Sequence, residues 1–142
     1  LGGQHVSQFI LFEKKNWFSI IFFYFHKSDN KQDRFHTHAF DAWSFRIFGN
    51  YIEEKLTDLK VRKSKDSNES RTVDFIMKFP RNLDRWIFIP KNTYHRITKS
   101  EGCLTLLLSG KWDETWNEYF PEEKKTITYS HNRIIKQETK NI

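Results

Sequence analysis

Apolar residues in this chain come in short runs separated by polar clusters. The run WFSIIFFYFH over 17–26 is almost continuously apolar, and Asn16 and the polar stretch 27–30 bound it. A run of that length, closed by Ser28-Asp29-Asn30 turn chemistry, predicts a buried strand. Shorter strands are predicted over 9–12, 34–38, 42–48, 72–79, 86–89 and 103–108. Gly49-Asn50 between apolar stretches is a hairpin signal joining 42–48 to 51–59. The stretch 51–59 alternates unevenly, as a half-exposed strand does. RKSKDSNESR over 62–71 reads as a polar, mobile loop tip. Pro80-Arg81-Asn82 reads as a turn, Pro90 ends the run 86–89, and 112–119 is amphipathic, as a strand or a short helix. The count is roughly eight to ten short strands with no long helix, the pattern of an all-β sandwich or barrel. One domain over 1–120 is expected, followed by a polar C-terminal extension over 121–142 that frays or packs outside the core.

Composition adds a heavy aromatic content, 17% with 14 Phe and 5 Trp, which suits a single aromatic core within 142 residues. The single cysteine, Cys103, excludes an internal disulfide and reads as a small buried hydrophobe. No apolar run nears the ~20 residues of a membrane span. The opening LGGQHVSQ lacks the layout of a signal peptide. A cytoplasmic location is expected, in a host cytoplasm or a virion if the chain is viral. The net charge of +6 suits an anionic partner, but basic and acidic residues are interleaved, as in Glu122-Glu123-Lys124-Lys125. A mixed solvated surface is expected ahead of a nucleic-acid face.

The chemistry centres on RFHTHAFDAWSFRIFG, 34–49. His36 and His38 are two apart, so on a strand both imidazoles project from one face. That is what a metal ion requires of a single strand. The chance alternative is a surface pair.

The same stretch resembles the first motif of the cupins, G-x5-H-x-H-x3-4-E-x6-G. His36-Thr37-His38 supplies H-x-H and Gly49 the closing glycine, while Ala42 stands at the glutamate and Asn30 at the leading glycine. The second motif, G-x5-P-x-G-x2-H-x3-N, is matched by Pro90, Asn92 and His95, with Asp84 and Lys99 at its ends. Asn in the glycine position is a mild exchange because Asn tolerates left-handed backbone angles. The resemblance spans 34–108 and implies a cupin-type jelly-roll β-barrel. The blocks NWFSIIFFYFHKSDN, RFHTHAFDAWSFRIFGNYIEE, WIFIPKNTYHRI and TLLLSGKWDETW are also similar to an uncharacterised subgroup of small cupins found in phage and bacterial genomes.

The resemblance implies a metal site of His36, His38 and His95. With Ala42 for glutamate the set is neutral, which favours Fe, Zn, Ni or Cu over Mn. Asp41 and Glu53 are candidates to replace the missing carboxylate. Arg46 shares strand parity with Ala42 and Ser44, so it either anchors a small-molecule anion in the cavity or pairs with Glu53 or Glu54 at the barrel mouth. Tyr94, beside His95, is a candidate substrate contact. Phe45, Ile47, Trp86 and Phe88 are expected to pack the core, and Trp112 and Trp116 to cover one barrel end. Two functional readings stand: a metal-dependent oxygenase or isomerase of small molecules, and a non-catalytic scaffold in a virion or protein assembly. Family behaviour also implies a homo-oligomer or larger assembly.

Overall fold

Twelve strands and no helix make up the described residues of the computed structural model, which are 5–29, 33–62, 70–82, 84–131 and 133–139. Five strands form one sheet in the order β1 (Val6–Lys14), β2 (Phe18–Phe25), β9 (Cys103–Ser109), β4 (Ala42–Phe48), β7 (Trp86–Ile89). Seven form the other, in the order β12 (Arg133–Thr139), β11 (Lys125–Ser130), β10 (Thr115–Phe120), β3 (Phe35–His36), β8 (Tyr94–Ser100), β5 (Tyr51–Arg62), β6 (Ser70–Arg81). Pairing is antiparallel throughout these ladders. This is a jelly-roll barrel of two facing sheets, as expected. Among the described strands, the two-residue β3 joins the β10–β12 half of the larger sheet to the β8–β5–β6 half. No helix among the described residues is long and apolar enough to cross a membrane.

The core lies between the sheets. Ile21 and Phe23 of β2, Ala42 of β4, Leu107 of β9 and Ile89 of β7 meet Phe40 from the β3–β4 loop. Burial of each large side chain stabilises the fold by roughly 1.5–3 kcal/mol. Trp112 lies against Phe40 with ring centroids 4.8 Å apart and planes tilted by 46°, and Trp112 and Trp116 pack on this cluster. The 112–119 stretch supplies strand β10 and no helix.

Several sequence expectations are corrected. The run 17–26 is buried on one face only: Ser19, Ile21 and Phe23 point in, while Ile20, Phe22 and Tyr24 remain half-exposed. Phe45, Ile47, Trp86 and Phe88 do not pack the core. Trp86 is 54% and Phe88 45% exposed, and Phe45 and Ile47 are half-buried. Strand parity explains this, because Ala42 and Ser44 take the inward positions of β4 and Ile87 and Ile89 those of β7. The outer face of the five-stranded sheet therefore carries continuous cross-strand rows. One is Phe9–Phe22–Leu106–Phe45–Trp86, and the next is Phe12–Ile20–Leu108–Trp43–Phe88. Runs that are apolar on both faces look, in sequence, like strands buried on both faces.

Gly49-Asn50 is not a hairpin turn. β4 and β5 lie in different sheets, and the chain turns the barrel corner between them. Gly49 has φ +81°, and a Cβ there would stand 1.8 Å from the Gly102 carbonyl oxygen. The close backbone approach and the left-handed angle both require glycine. Pro80 and Arg81 are strand rather than turn, which β6 tolerates as an edge strand. The loop expected over 62–71 has its centre outside the described residues, and Arg62 and Ser70 close the β5–β6 ladder. The polar segment beyond 120 forms β11 and β12 at the edge of the larger sheet, with β12 exposed throughout.

Candidate metal centre

His36 ends β3, and His38 follows it with the same inward parity. β8 brings His95 directly opposite His36 in the ladder. The ligand nitrogens of His36, His38 and His95 all lie within 4.8 Å of one another. Ring centroids are 4.5 Å apart for His36–His95 and 4.8 Å for His38–His95. The Nε2 atoms of His38 and His95 are 2.7 Å apart, and Nδ1 of His38 is buried with no partner among the described residues.

Glu53 fixes the protonation of this cluster. Its Oε1 lies 2.7 Å from Nδ1 of His95, and its Oε2 accepts from Nε of Arg81 at 2.9 Å. Glu53 is 1% exposed. Burial alone raises its pKa, but the hydrogen bond and charge of His95 and the charge of Arg81 outweigh burial and hold it at about 2. An ionised Glu53 accepts the Nδ1–H of His95 and so directs Nε2 of that ring toward the cluster. Burial, and then the neighbouring His95, hold His36 and His38 well below the ordinary histidine value. Neutral imidazoles are the metal-binding form, and His36 and His38 are held in it. The three rings, one oriented by a carboxylate, thus fit a divalent transition metal.

The cluster opens into a cavity of about 640 Å³ between the sheets. Phe23, Phe25, Ile89 and Leu107 form much of its wall, with Ser44 and Thr105 as small polar contributions. Arg34, Trp116 and Glu118 line it from the β3–β10 side. The Arg34 guanidinium is engaged by Asp33 at 3.0 Å and Glu118 at 3.3 Å, and Glu118 also accepts from the Tyr129 hydroxyl at 2.9 Å.

The other candidate residues lie elsewhere. Arg46 donates to the backbone carbonyls of Gly49 and Asn82, both at 2.8 Å, and is absent from the cavity lining. It does not pair with Glu53 or Glu54, because the corner at Gly49 carries them into the other sheet. Arg81 takes Glu53, and Arg96 takes Glu54 at 2.8 Å. Tyr94 faces the opposite side of the larger sheet, near Tyr119, with ring centroids 6.2 Å apart. Asp41 is exposed and accepts from the Lys91 backbone N–H at 2.8 Å. Ala42 is buried in the core cluster. Asn92 is not among the residues with positive φ, so its turn needs no left-handed residue. Asn30 lies outside the described residues. Cys103 is buried, and burial raises its thiol to about 11.

No family model matches the chain, and no curated protein matches it. Among solved structures, a sugar phosphate isomerase of the cupin superfamily from Silicibacter pomeroyi DSS-3 is similar over 96% of this chain and 77% of that one. The identity is 12% and the TM-score 0.52. The fold is that of the cupins. A putative mannose-6-phosphate isomerase from Ralstonia eutropha JMP134 shares 14% identity over 78% of this cupin-fold chain and 89% of its own, with a TM-score of 0.46. A hydroquinone 1,2-dioxygenase, solved with Cd2+ and 4-hydroxybenzonitrile, shares 12% identity over 72% and 62%, with a TM-score of 0.42. At 12% identity the likeness to the Silicibacter pomeroyi protein is one of fold, and one fold carries many chemistries.

Proposed function

We propose that this cupin is a metal-dependent enzyme that holds a divalent transition metal on His36, His38 and His95 and oxygenates a small, largely apolar molecule. The observation that carries the reading is the convergence of three imidazoles, one oriented by a buried carboxylate, at the wall of a cavity between the two sheets. A bound ion supplies Lewis acidity and, for iron or copper, access to oxygen chemistry. The chain's own residues do the rest. Glu53 holds the His95 proton at Nδ1, and Arg81 keeps Glu53 ionised. Phe23, Phe25 and Leu107 exclude water and favour an aromatic or aliphatic substrate over a polyhydroxylated one. Arg34, already paired with Asp33 and Glu118, is the arginine of the cavity lining, and Arg46 and Tyr94 take no part.

Elemental analysis of freshly purified protein, beside a His36→Ala/His38→Ala variant, tests the site. Near-stoichiometric Fe, Zn, Ni or Cu that disappears in the folded variant is expected. Oxygen uptake with a panel of small aromatic compounds then tests the reaction. Wild type without metal after reconstitution ends the enzyme reading, and metal without oxygen uptake but with isomerisation replaces the oxygenase by an isomerase.

A further inference from the structure

The seven-stranded sheet carries a second concavity, on the side away from the metal centre. His95 and Glu53 face the metal cavity, so Tyr94 and its ladder partner Leu56 point to the other side. β3 stops at His36, and Tyr94 of β8 and Tyr119 of β10 stand on the two strands that flank it. Their ring planes meet at 69° with centroids 6.2 Å apart, which makes an aromatic corner. Asn92 and Thr93 reach this corner from the turn after Pro90, Thr57 from β5, and Thr126 from β11 as the ladder partner of Tyr119. The groove so formed holds about 400 Å³, toward the small end of ligand sites, which run from roughly 300 to 1,000 Å³. Its parts are fixed in advance. The Thr93 N–H donates to the Pro90 carbonyl at 3.1 Å, the Lys91 N–H donates to Asp41 at 2.8 Å, and the Lys91 ammonium pairs with Asp113 at 2.5 Å. Tyr119 is 2% exposed and held by packing. Such preorganisation lowers the entropy cost of binding.

We propose that this groove binds a neutral carbohydrate of one or two hexose units, with Tyr94 as the stacking platform and Asn92, Thr93 and Thr126 as partners for its hydroxyls. Six of the seven described residues that line the groove carry a hydroxyl or an amide, Leu56 is the seventh, and none is charged, in a chain that is 30% charged. Hydroxyls and amides both donate and accept, which is what the paired hydroxyls of a sugar require. A tyrosine ring adds a flat apolar face for the C–H side of the pyranose. An ionic ligand would lose water here without meeting a counter-charge, and a purely apolar one would strand the lining's polar groups. The metal cavity, walled by Phe23, Phe25 and Leu107, has the opposite character. The groove lies across the sheet from it, so the inference does not depend on the enzyme reading.

Saturation-transfer difference NMR of the full chain reads binding at millimolar sugar. The probes are the methyl glycosides of glucose, galactose, mannose and N-acetylglucosamine, with maltose, cellobiose and chitobiose. Saturation of the ring protons of at least one of them is expected, with amide shifts of the isotope-labelled protein clustered at Asn92, Thr93, Tyr94 and Thr126. Tyr94→Ala and Asn92→Ala, made singly, are expected to weaken that sugar about tenfold, the loss of one or two hydrogen bonds or of the stacking face. The amide shifts of wild type decide the matter if a variant fails to fold. Chelator-treated and zinc-loaded protein are expected to bind alike, and the 6-phosphate of the same sugar to bind more weakly than its neutral parent. No saturation of any probe, shifts centred on Phe23, Phe25 and Leu107, or undiminished binding in both folded variants each overturns the proposal. So does binding that requires added metal, or a phosphorylated sugar that binds more tightly than the neutral one.

Discussion

Glu53 is where a single side chain has most influence. Removing its charge leaves Arg81, 7% exposed, without its buried partner and frees His95 to change tautomer. Breaking one side of a buried pair costs roughly 3–5 kcal/mol. Glu53→Gln is therefore expected to lower metal affinity by about 10–100-fold, read by competition with a chelating dye. Its effect on stability has a definite pH window. The native pKa of about 2 lies below the ordinary 4.5, so the unfolded chain takes up the proton first. The stabilisation is complete above about pH 4.5 and is lost as pH falls toward 2, a difference of about 3 kcal/mol. Guanidinium midpoints of chelator-treated wild type and Glu53→Gln should converge toward pH 2 and separate above pH 4.5. Parallel curves would show that the Glu53 charge is not paired. The sequence made His36 and His38 legible through strand parity and His95 through motif spacing. Glu53 was visible only as a spare carboxylate. Its partnership with His95 depends on which face of β5 it occupies, and Arg81 sits in a segment whose Pro and Asn imitate a turn.

At the level of elements, the corner between β4 and β5 decides how the two sheets meet. Gly49 and Gly102 both have positive φ, +81° and +83°, yet their surroundings differ. A Cβ at Gly102 would meet only the Tyr24 hydroxyl, at 3.2 Å, whereas one at Gly49 would collide with the backbone of Gly102 and Cys103. Gly102→Ala is expected to cost about 1–2 kcal/mol, from the backbone angle. Gly49→Ala is expected to cost distinctly more, about 3–5 kcal/mol, because neither wall of the corner can retreat. Equal losses on chemical denaturation would remove the close approach from the account. The strands themselves were largely legible, since β2, β4, β7 and β9 fall where apolar runs meet polar punctuation. Partnership was not. A Gly-Asn pair has the same composition whether it closes a hairpin or turns from one sheet to another, and only the long-range ladders of β4 with β9 and β5 with β8 distinguish the two. β12 was hidden for a related reason: an edge strand exposed on both sides has no apolar face to announce it.

Across the whole molecule the two sheets divide the work. The five-stranded sheet has an apolar outer face, and toward the cavity its apolar residues alternate with Ser44 and Thr105. The seven-stranded sheet carries His36, His95 and the carboxylate behind them, with His38 two residues past His36, and it is joined through its middle by β3. That strand has two residues, Phe35 and His36, and one of them belongs to the metal cluster. The β10 side is tied to it by the Thr37–Asn117 hydrogen bonds at 2.9 Å, immediately beside the cluster. An ion bridging His36 and His38 to His95 would act as a rivet across the narrowest seam in the sheet. Stripping it should loosen one half of the sheet more than the other. Amide hydrogen exchange should accelerate in β10 and β11 on chelation while β5 and β8 hold their protection, and uniform acceleration would show that the seam does not yield first. The chemistry of the site and the mechanical continuity of the barrel then rest on the same two-residue strand.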